Sequence, residues 1–281
     1  MTPENRVSVV TDTSADIPVA IKRKLNIKET KIRTYIGDEE IEGTAELLKA
    51  MKNGTVNDTD RKPRTSTPPI GEFIKLYEEL SGEILSVHMM KSKSSTYDTA
   101  CSAAKQVMEA HPEIEIKTFE SKVSMGLGFL VMEAARNCDK SSDEIMEIVK
   151  NKSDRTLVAF AFDTLKYAYI GGRISRDQYL LGQMLNIKPV FTVTDEDFDV
   201  ESRQRGRKKS LERLIEIVKK HSPLEEVAII HAGVREEAEG LADKIKTFYD
   251  GIQIIAEVGP VVAAYGGPGV IGICAVKSKT I

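Results

Sequence analysis

The chain has 281 residues, 41% hydrophobic and 30% charged, which are globular values at a length sufficient for two domains. Forty lysines and arginines against 43 aspartates and glutamates leave a net charge of −3, so no overall basic field gathers nucleic acid. With no tryptophan and 6% aromatics there is little to stack bases on, and no apolar run nears the roughly 18 residues of a membrane span.

The opening MTPENRVSVVTD lacks an apolar core, so no signal peptide is expected and the protein reads as cytoplasmic. Cys101, Cys138 and Cys274 are far apart and form no CxxC, which predicts buried, reduced thiols and no metal site.

In chain order, Val7–Val10 reads as a buried strand and Thr11–Ser14 as a polar loop at its end. Asp16 is expected to cap a helix with Pro18 in its first turn. Residues 31–36 read as a strand, Gly37-Asp38 as a turn, and Glu46–Lys52 as a helix closed by Asn53-Gly54. TVNDTDRKPRTST over 55–67 reads as a polar loop, with Ser66 or Thr67 capping the next helix. That helix carries Ile70, Phe73, Ile74, Tyr77 and Leu80 on one stripe.

Ile84–Val87 is a further strand, with His88 at its end. After the loop KSKSS, Ser95 and Asp98 have capping-box spacing for a helix to about Glu109. Ile114–Thr118 reads as a strand and 121–138 as a helix in which Gly126 and Gly128 allow close packing. Strand–helix alternation to this point argues a parallel α/β sheet, which takes ligands beyond its C-terminal strand ends. Three loops rich in Ser and Thr lie at such positions or at helix starts: 11–14, 65–67 and 91–95. The charged helix over 139–155 marks a domain boundary.

Leu157–Phe162 opens the second half as a strand. Asp163 is expected to cap a short helix ended by Gly171-Gly172, and Ser175 with Gln178 forms a capping box for the next. Tyr179, Leu180, Met184 and Leu185 are its apolar positions, Pro189 is taken to stop it, and 190–193 is a strand. Gly171-Gly172-Arg173 is thus a small-residue corner bearing one cation, open to close approach by backbone or ligand. The acidic turn DEDFD, the basic run Arg203–Lys209, a helix over 211–219, strands 227–231 and 252–258, and a last strand 270–276 complete the chain.

Helix starts at Thr65–Thr67 and at Ser94-Ser95 offer free N–H groups and hydroxyls, a fit for an anion as well as for simple capping. The run Arg203, Arg205, Arg207, Lys208, Lys209 is a solvated face on pattern alone. Residues 267–272, GPGVIG, match GxGxxG, but a strand follows and no helix, so no dinucleotide site is assigned. His88, His111, His221 and His231 are single and scattered, and read as structural.

Five segments in order resemble the DegV family of bacterial fatty-acid-binding proteins: VTDTSADIP near the start, TSTPP at 65–69, FESKVSMGLG at 119–128, GGRIS through LLGQMLNIKPV with RQRGRKKSLERL, and EVGPVVAAYGGPG at 257–269. The resemblance implies two α/β domains, 1–155 and 156–281. The first would hold a parallel sheet flanked by helices and the second a mixed sheet, with the ligand site between them. It implies a non-enzymatic protein that holds a long-chain fatty acid in an apolar tunnel. The carboxylate would be presented to a separate fatty acid kinase, without a cofactor, metal or catalytic residue, and with a peripheral or transient membrane contact. Thr65 matches the Thr of the family's TSxP motif and Ser94 the Ser of an SSGLSGTY-like loop, whose glycines are here replaced in Met90-Lys91-Ser92-Lys93-Ser94-Ser95. Ser66, Ser95, Arg173, Tyr265 and Gly266 complete the implied ligand set, and Arg205 matches an arginine facing the kinase or its phosphoryl group. Tyr265 stands where the family usually has histidine; it donates a hydrogen bond but carries no positive charge near neutral pH. The alternative is a small-molecule enzyme domain like that of dihydroxyacetone kinases, using a histidine such as His231. A serine esterase using Ser94 lacks the GxSxG elbow.

Overall fold

The computed structural model describes residues 6–56, 60–123, 125–184, 186–194 and 197–279. Val7–Asp12 forms β1, buried on both faces as a central parallel strand must be. A 3₁₀ turn (Thr13–Ala15), α1 (Val19–Lys24) and β2 (Lys28–Thr30) follow. Next come β3 (Arg33–Ile36), β4 (Glu39–Ile41), α2 (Thr44–Lys52) and β5 (Pro63–Ser66). The chain continues through α3 (Ile70–Glu78), β6 (Glu83–Met89), α4 (Thr96–Ala110), β7 (Glu115–Ser121), α5 (Leu127–Arg136) and α6 (Ser142–Arg155). The remainder is β8 (Thr156–Ala161), α7 (Lys166–Ile170), α8 (Arg176–Gln183), β9 (Ile187–Val193), β10 (Phe198–Arg205), α9 (Arg207–Lys220), β11 (Leu224–His231), α10 (Arg235–Ile245), β12 (Gln253–Glu257), α11 (Pro260–Gly266) and β13 (Ile271–Lys277).

Two compact units result, one of Met1–Ile32 with Ser66–Asp154 and one of Arg33–Thr65 with Arg155–Ile281. Residues 33–65, assigned from sequence to the N-terminal domain, group with the second unit. The strand expected over 31–36 is present as β3, but it belongs to a different sheet from the strand before it. Its neighbour β2 pairs with β1, while β3 pairs with β4 in a separate three-stranded sheet.

The first unit holds the parallel sheet β2-β1-β6-β7. The stripe on α3 buries Phe73 and Tyr77 against Val10, Ile84 and the small face of α4, Ala100, Ala103 and Ala104. Each large side chain so buried contributes about 1.5–3 kcal/mol. On α5, Gly128 lies against the Ala15 carbonyl, and a Cβ there would stand 2.6 Å from that oxygen, so only glycine lets the helix approach the turn after β1. Lys152 is buried on α6 and donates to Glu133 of α5 at 2.8 Å, a pair that ties the two helices.

The second unit holds the six-stranded sheet β10-β9-β8-β13-β11-β12, parallel at β11/β12 and antiparallel elsewhere. Its core joins Ala159, Ile229 and Ile273 of the sheet to Leu214 and Val218 of α9 and Leu241 and Ile245 of α10.

Several local expectations change. Asp16 is not the N-cap of α1: it ends the 3₁₀ turn in a left-handed conformation, and Pro18 holds the N-cap position. The polar loop 55–67 contains β5, because Pro63–Ser66 joins the sheet order β4-β3-β5. Pro69 holds the N-cap position of α3, so neither Ser66 nor Thr67 caps it. Ser95 precedes α4 without a side-chain cap; the Ser94 hydroxyl instead accepts from the Thr96 amide at 3.3 Å. The helix expected from 121 starts at Leu127, since 115–121 continues as β7.

Asp163 does not cap α7; its carbonyl and carboxylate accept from Lys188. Pro189 lies inside β9 and does not stop α8, which already ends at Gln183, and the basic run splits into the end of β10 and the start of α9. Cys274 is buried and its thiol pushed up to about 12 by burial, whereas Cys101 and Cys138 are only half-buried. Leu185, Ser124 and the 195–196 part of the acidic turn lie outside the described residues. The Ser175–Gln178 capping box is present in full, and Gly172 ends α7 at φ +73°.

Candidate functional site

Each unit gathers part of the predicted residue set. In the second unit, Thr65 lies next to last in β5 and Tyr265 in the last turn of α11. Their hydroxyls are 2.6 Å apart, one donating to the other. Arg173 follows the corner after α7. Its guanidinium carbon lies 3.7 Å from the centre of the Tyr265 ring, and its Nη1 donates to the Gly171 carbonyl at 2.6 Å. A guanidinium stacked on a ring gains about 0.5–2 kcal/mol. The small-residue corner explains the approach: Gly171 packs on the Tyr265 ring, where a Cβ would collide. What comes close to this corner is therefore an aromatic side chain of the same unit. Gly266, the last residue of α11, packs against Val270.

Chemically the group is one fixed cation beside two hydroxyls. Once one hydroxyl donates to the other, a single O–H remains to offer a ligand. A cation with one adjacent O–H donor suits a carboxylate or another small anion.

In the first unit the hydroxyls pair with each other. Thr67 and Ser95 are 2.7 Å apart, and Ser94 and Thr96 are 2.9 Å apart. Ser66 reaches only the Thr67 carbonyl, at 3.5 Å. Thr67, Pro68, Pro69, Ile70, Ser95 and Asp98 help line an open depression of about 420 Å³. Lys91 of this loop pairs with Glu120, which also accepts from the Lys91 amide at 2.9 Å.

The DegV family model matches residues 6–278. The chain belongs to the DegV family. It is 28% identical to Protein DegV of Bacillus subtilis over 280 residues, 95% of this chain and 98% of that one. Among solved structures, DegV from Bacillus subtilis, described as a fatty acid binding protein, superposes with a TM-score of 0.83 at 26% identity, covering 98% of this chain and all of that one. A DegV family protein from Eubacterium eligens loaded with heptadecanoic acid has a TM-score of 0.84 at 18% identity, covering 97% of this chain and all of that one. The two-domain α/β fold, with a parallel sheet and a mixed one, is the DegV fold.

Within this DegV chain Arg205 ends β10, exposed, and its guanidinium makes no hydrogen bond or ion pair among the described residues. Arg207, two residues on, is held: Nε and Nη2 donate to Glu237, and Nη2 also to the Gly269 carbonyl at 2.6 Å. The sequence run of five cations is thus not one surface. His231, needed by the alternative enzyme reading, is 3% exposed, and burial pushes its imidazole below the usual range. Among the described residues no group of three or more His, Cys, Asp or Glu could hold a metal, and no helix is long and apolar enough to cross a membrane.

Reading the sequence missed one conspicuous polar chain. Tyr77, Ser86, His88, Asp12 and Ser14 are hydrogen-bonded in series inside the first unit. Its signal was the alternation Ser86-Val87-His88 in an otherwise apolar strand, which places both polar side chains on one face.

Proposed function

We propose that this protein binds one long-chain fatty acid, its tail in an apolar tunnel among the helices, and presents the carboxylate to a partner fatty acid kinase. Thr65, Tyr265 and Arg173 read the carboxylate. Ser66, Ser94, Ser95 and Gly266 line the ligand site, and Arg205 faces the kinase or its phosphoryl group. The protein performs no chemistry itself and needs no cofactor; it works in the cytoplasm with transient membrane contact to collect its ligand.

The observation that carries this reading is the hydroxyl pair Thr65–Tyr265 with the Arg173 guanidinium stacked on the tyrosine. It stands in a chain whose relatives are described as fatty-acid-binding. Burial of a 16-carbon chain at about 0.8 kcal/mol per CH₂ contributes on the order of 10 kcal/mol before ordering losses, so the ligand should survive purification.

Mass spectrometry of the denatured, purified protein tests this directly. A released fatty acid is expected. A covalent adduct, together with no thermal shift of delipidated protein by any fatty acid of 14 to 20 carbons, would overturn it. For the partner, Arg205→Ala should leave fatty acid affinity unchanged and lower turnover by a fatty acid kinase. Equal loss of lipid binding would move Arg205 into the pocket.

A further inference from the structure

The first unit's sheet changes direction at β1: the chain steps from β1 to β2 on one side, then returns to β6 and β7 on the other. In open parallel sheets the space beyond the strand ends at such a reversal is where ligands bind. Here that space is flanked by the 3₁₀ turn after β1 and the 91–95 loop after β6. Asp12 and His88 stand at the ends of these two strands and are bonded across them, His88 Nδ1 to Asp12 Oδ2 at 2.6 Å, both fully buried.

The hydrogen bonds run in series from Tyr77 to Ser14. Tyr77 donates to Ser86 at 2.8 Å, and burial keeps its phenol protonated. Ser86 is bonded to His88 Nε2 at 2.8 Å, and His88 Nδ1 is the ring nitrogen that faces Asp12. Asp12 Oδ1 receives the Ser14 amide at 3.0 Å and the Ser14 hydroxyl. Ser86, His88 and Asp12 have the order of a hydrolytic triad, but Ser86 is fully buried and accepts from Tyr77, so it is no nucleophile. Each end of the chain serves a loop. Asp12 fixes the turn at Ser14; His88 fixes the end of β6, where the Met90 carbonyl accepts the amides of Lys93 and Ser94.

We propose that Asp12 and His88 are positioning residues: the bond between them holds the turn after β1 and the loop carrying Ser94 in the arrangement that ligand binding requires. This rests on the fatty-acid reading, with Ser94 in the site.

Three variants separate positioning from stability. The amide of His88→Asn can replace Nδ1 and keep the bond to Asp12. That of His88→Gln replaces Nε2 and loses it. Ser86→Ala cuts the chain at its far end. All three should lower the melting temperature. Palmitate affinity should fall ~tenfold in His88→Gln, the scale of one hydrogen bond to a charged group, and stay within about threefold of wild type in His88→Asn and Ser86→Ala. Amide hydrogen exchange of Ser14, which needs no ligand, should lose protection only in His88→Gln. Equal palmitate losses in His88→Asn and His88→Gln, or a Ser14 amide equally protected in all variants, would overturn the assignment. Wild-type protein that fails to bind palmitate would instead sink the lipid reading, and the exchange measurement would still decide on the pair.

Discussion

The two hydroxyl groups of this molecule are built on different electrostatics. In the second unit, Thr65 and Tyr265 share a bond beside the Arg173 guanidinium, a cationic group. In the first, Thr67 pairs with Ser95 and Ser94 with Thr96, all neutral, and Lys91 is taken up by Glu120. A hydrogen bond to a charged partner is worth about 1.5–3 kcal/mol and a neutral one about 0.5–1.5 kcal/mol. Recognition of an anion should therefore rest on the charged group of the second unit more than on the neutral hydroxyls of the first.

The sharpest way to break this contrast is Arg173→Met, which keeps an apolar stem on the Tyr265 ring and removes the charge. Palmitate affinity should drop about a hundredfold, the upper end for a charged hydrogen bond. Hexadecanol, titrated alongside, should bind nearly as before. Parallel losses would show that Arg173 serves packing only.

Ser94→Ala should act more weakly. A loss of about two- to tenfold is the neutral hydrogen-bond range, and it should be alike for palmitate and hexadecanol. An acid-selective loss as large as that of Arg173→Met would erase the distinction between the units.

A third test separates folding of the first unit from its ligand chemistry. Glu83 accepts from the Ser142 amide and from Arg6, both at 2.7 Å, and the Ser142 bond foremost holds its carboxyl down at about 2. A depressed carboxyl adds stability above its unfolded value of about 4.3 and loses it as pH falls through the folded value. Urea midpoints of wild type should therefore fall between pH 4 and pH 2. Glu83→Gln should be less stable at pH 7 and show a flatter slope over that window, with palmitate affinity at pH 7 unchanged.

Much of this was legible in the chain. The capping box at Ser175 and the Gly171-Gly172 ending are local and depend on few residues, so their spacing sufficed. Periodicity likewise marked α3, since its stripe faces a single core. The strand over 31–36 was legible, but its unit was not, because β2 and β3 belong to different sheets, a tertiary choice that alternation along one strand cannot express. The strand β5 was hidden for the same reason: PRTS is polar, and pairing makes it a strand. At the site, motifs identified Thr65, Arg173 and Tyr265 one by one. Sequence could not show that the tyrosine ring lies under the guanidinium and fills the glycine corner, because those contacts join segments about 90 and 200 residues apart.

The most direct test of charge reading by the second unit is a four-way titration: palmitate and hexadecanol, each against wild type and Thr65→Ala. Thr65 lies next to last in β5 and is not the N-cap of α3, so the variant should fold normally. Palmitate should lose roughly ten- to a hundredfold in affinity, the value of one hydrogen bond to a charged group. Hexadecanol, with no negative charge, should change far less. An equal loss for acid and alcohol would mean that Thr65 shapes the pocket and does not read the carboxylate.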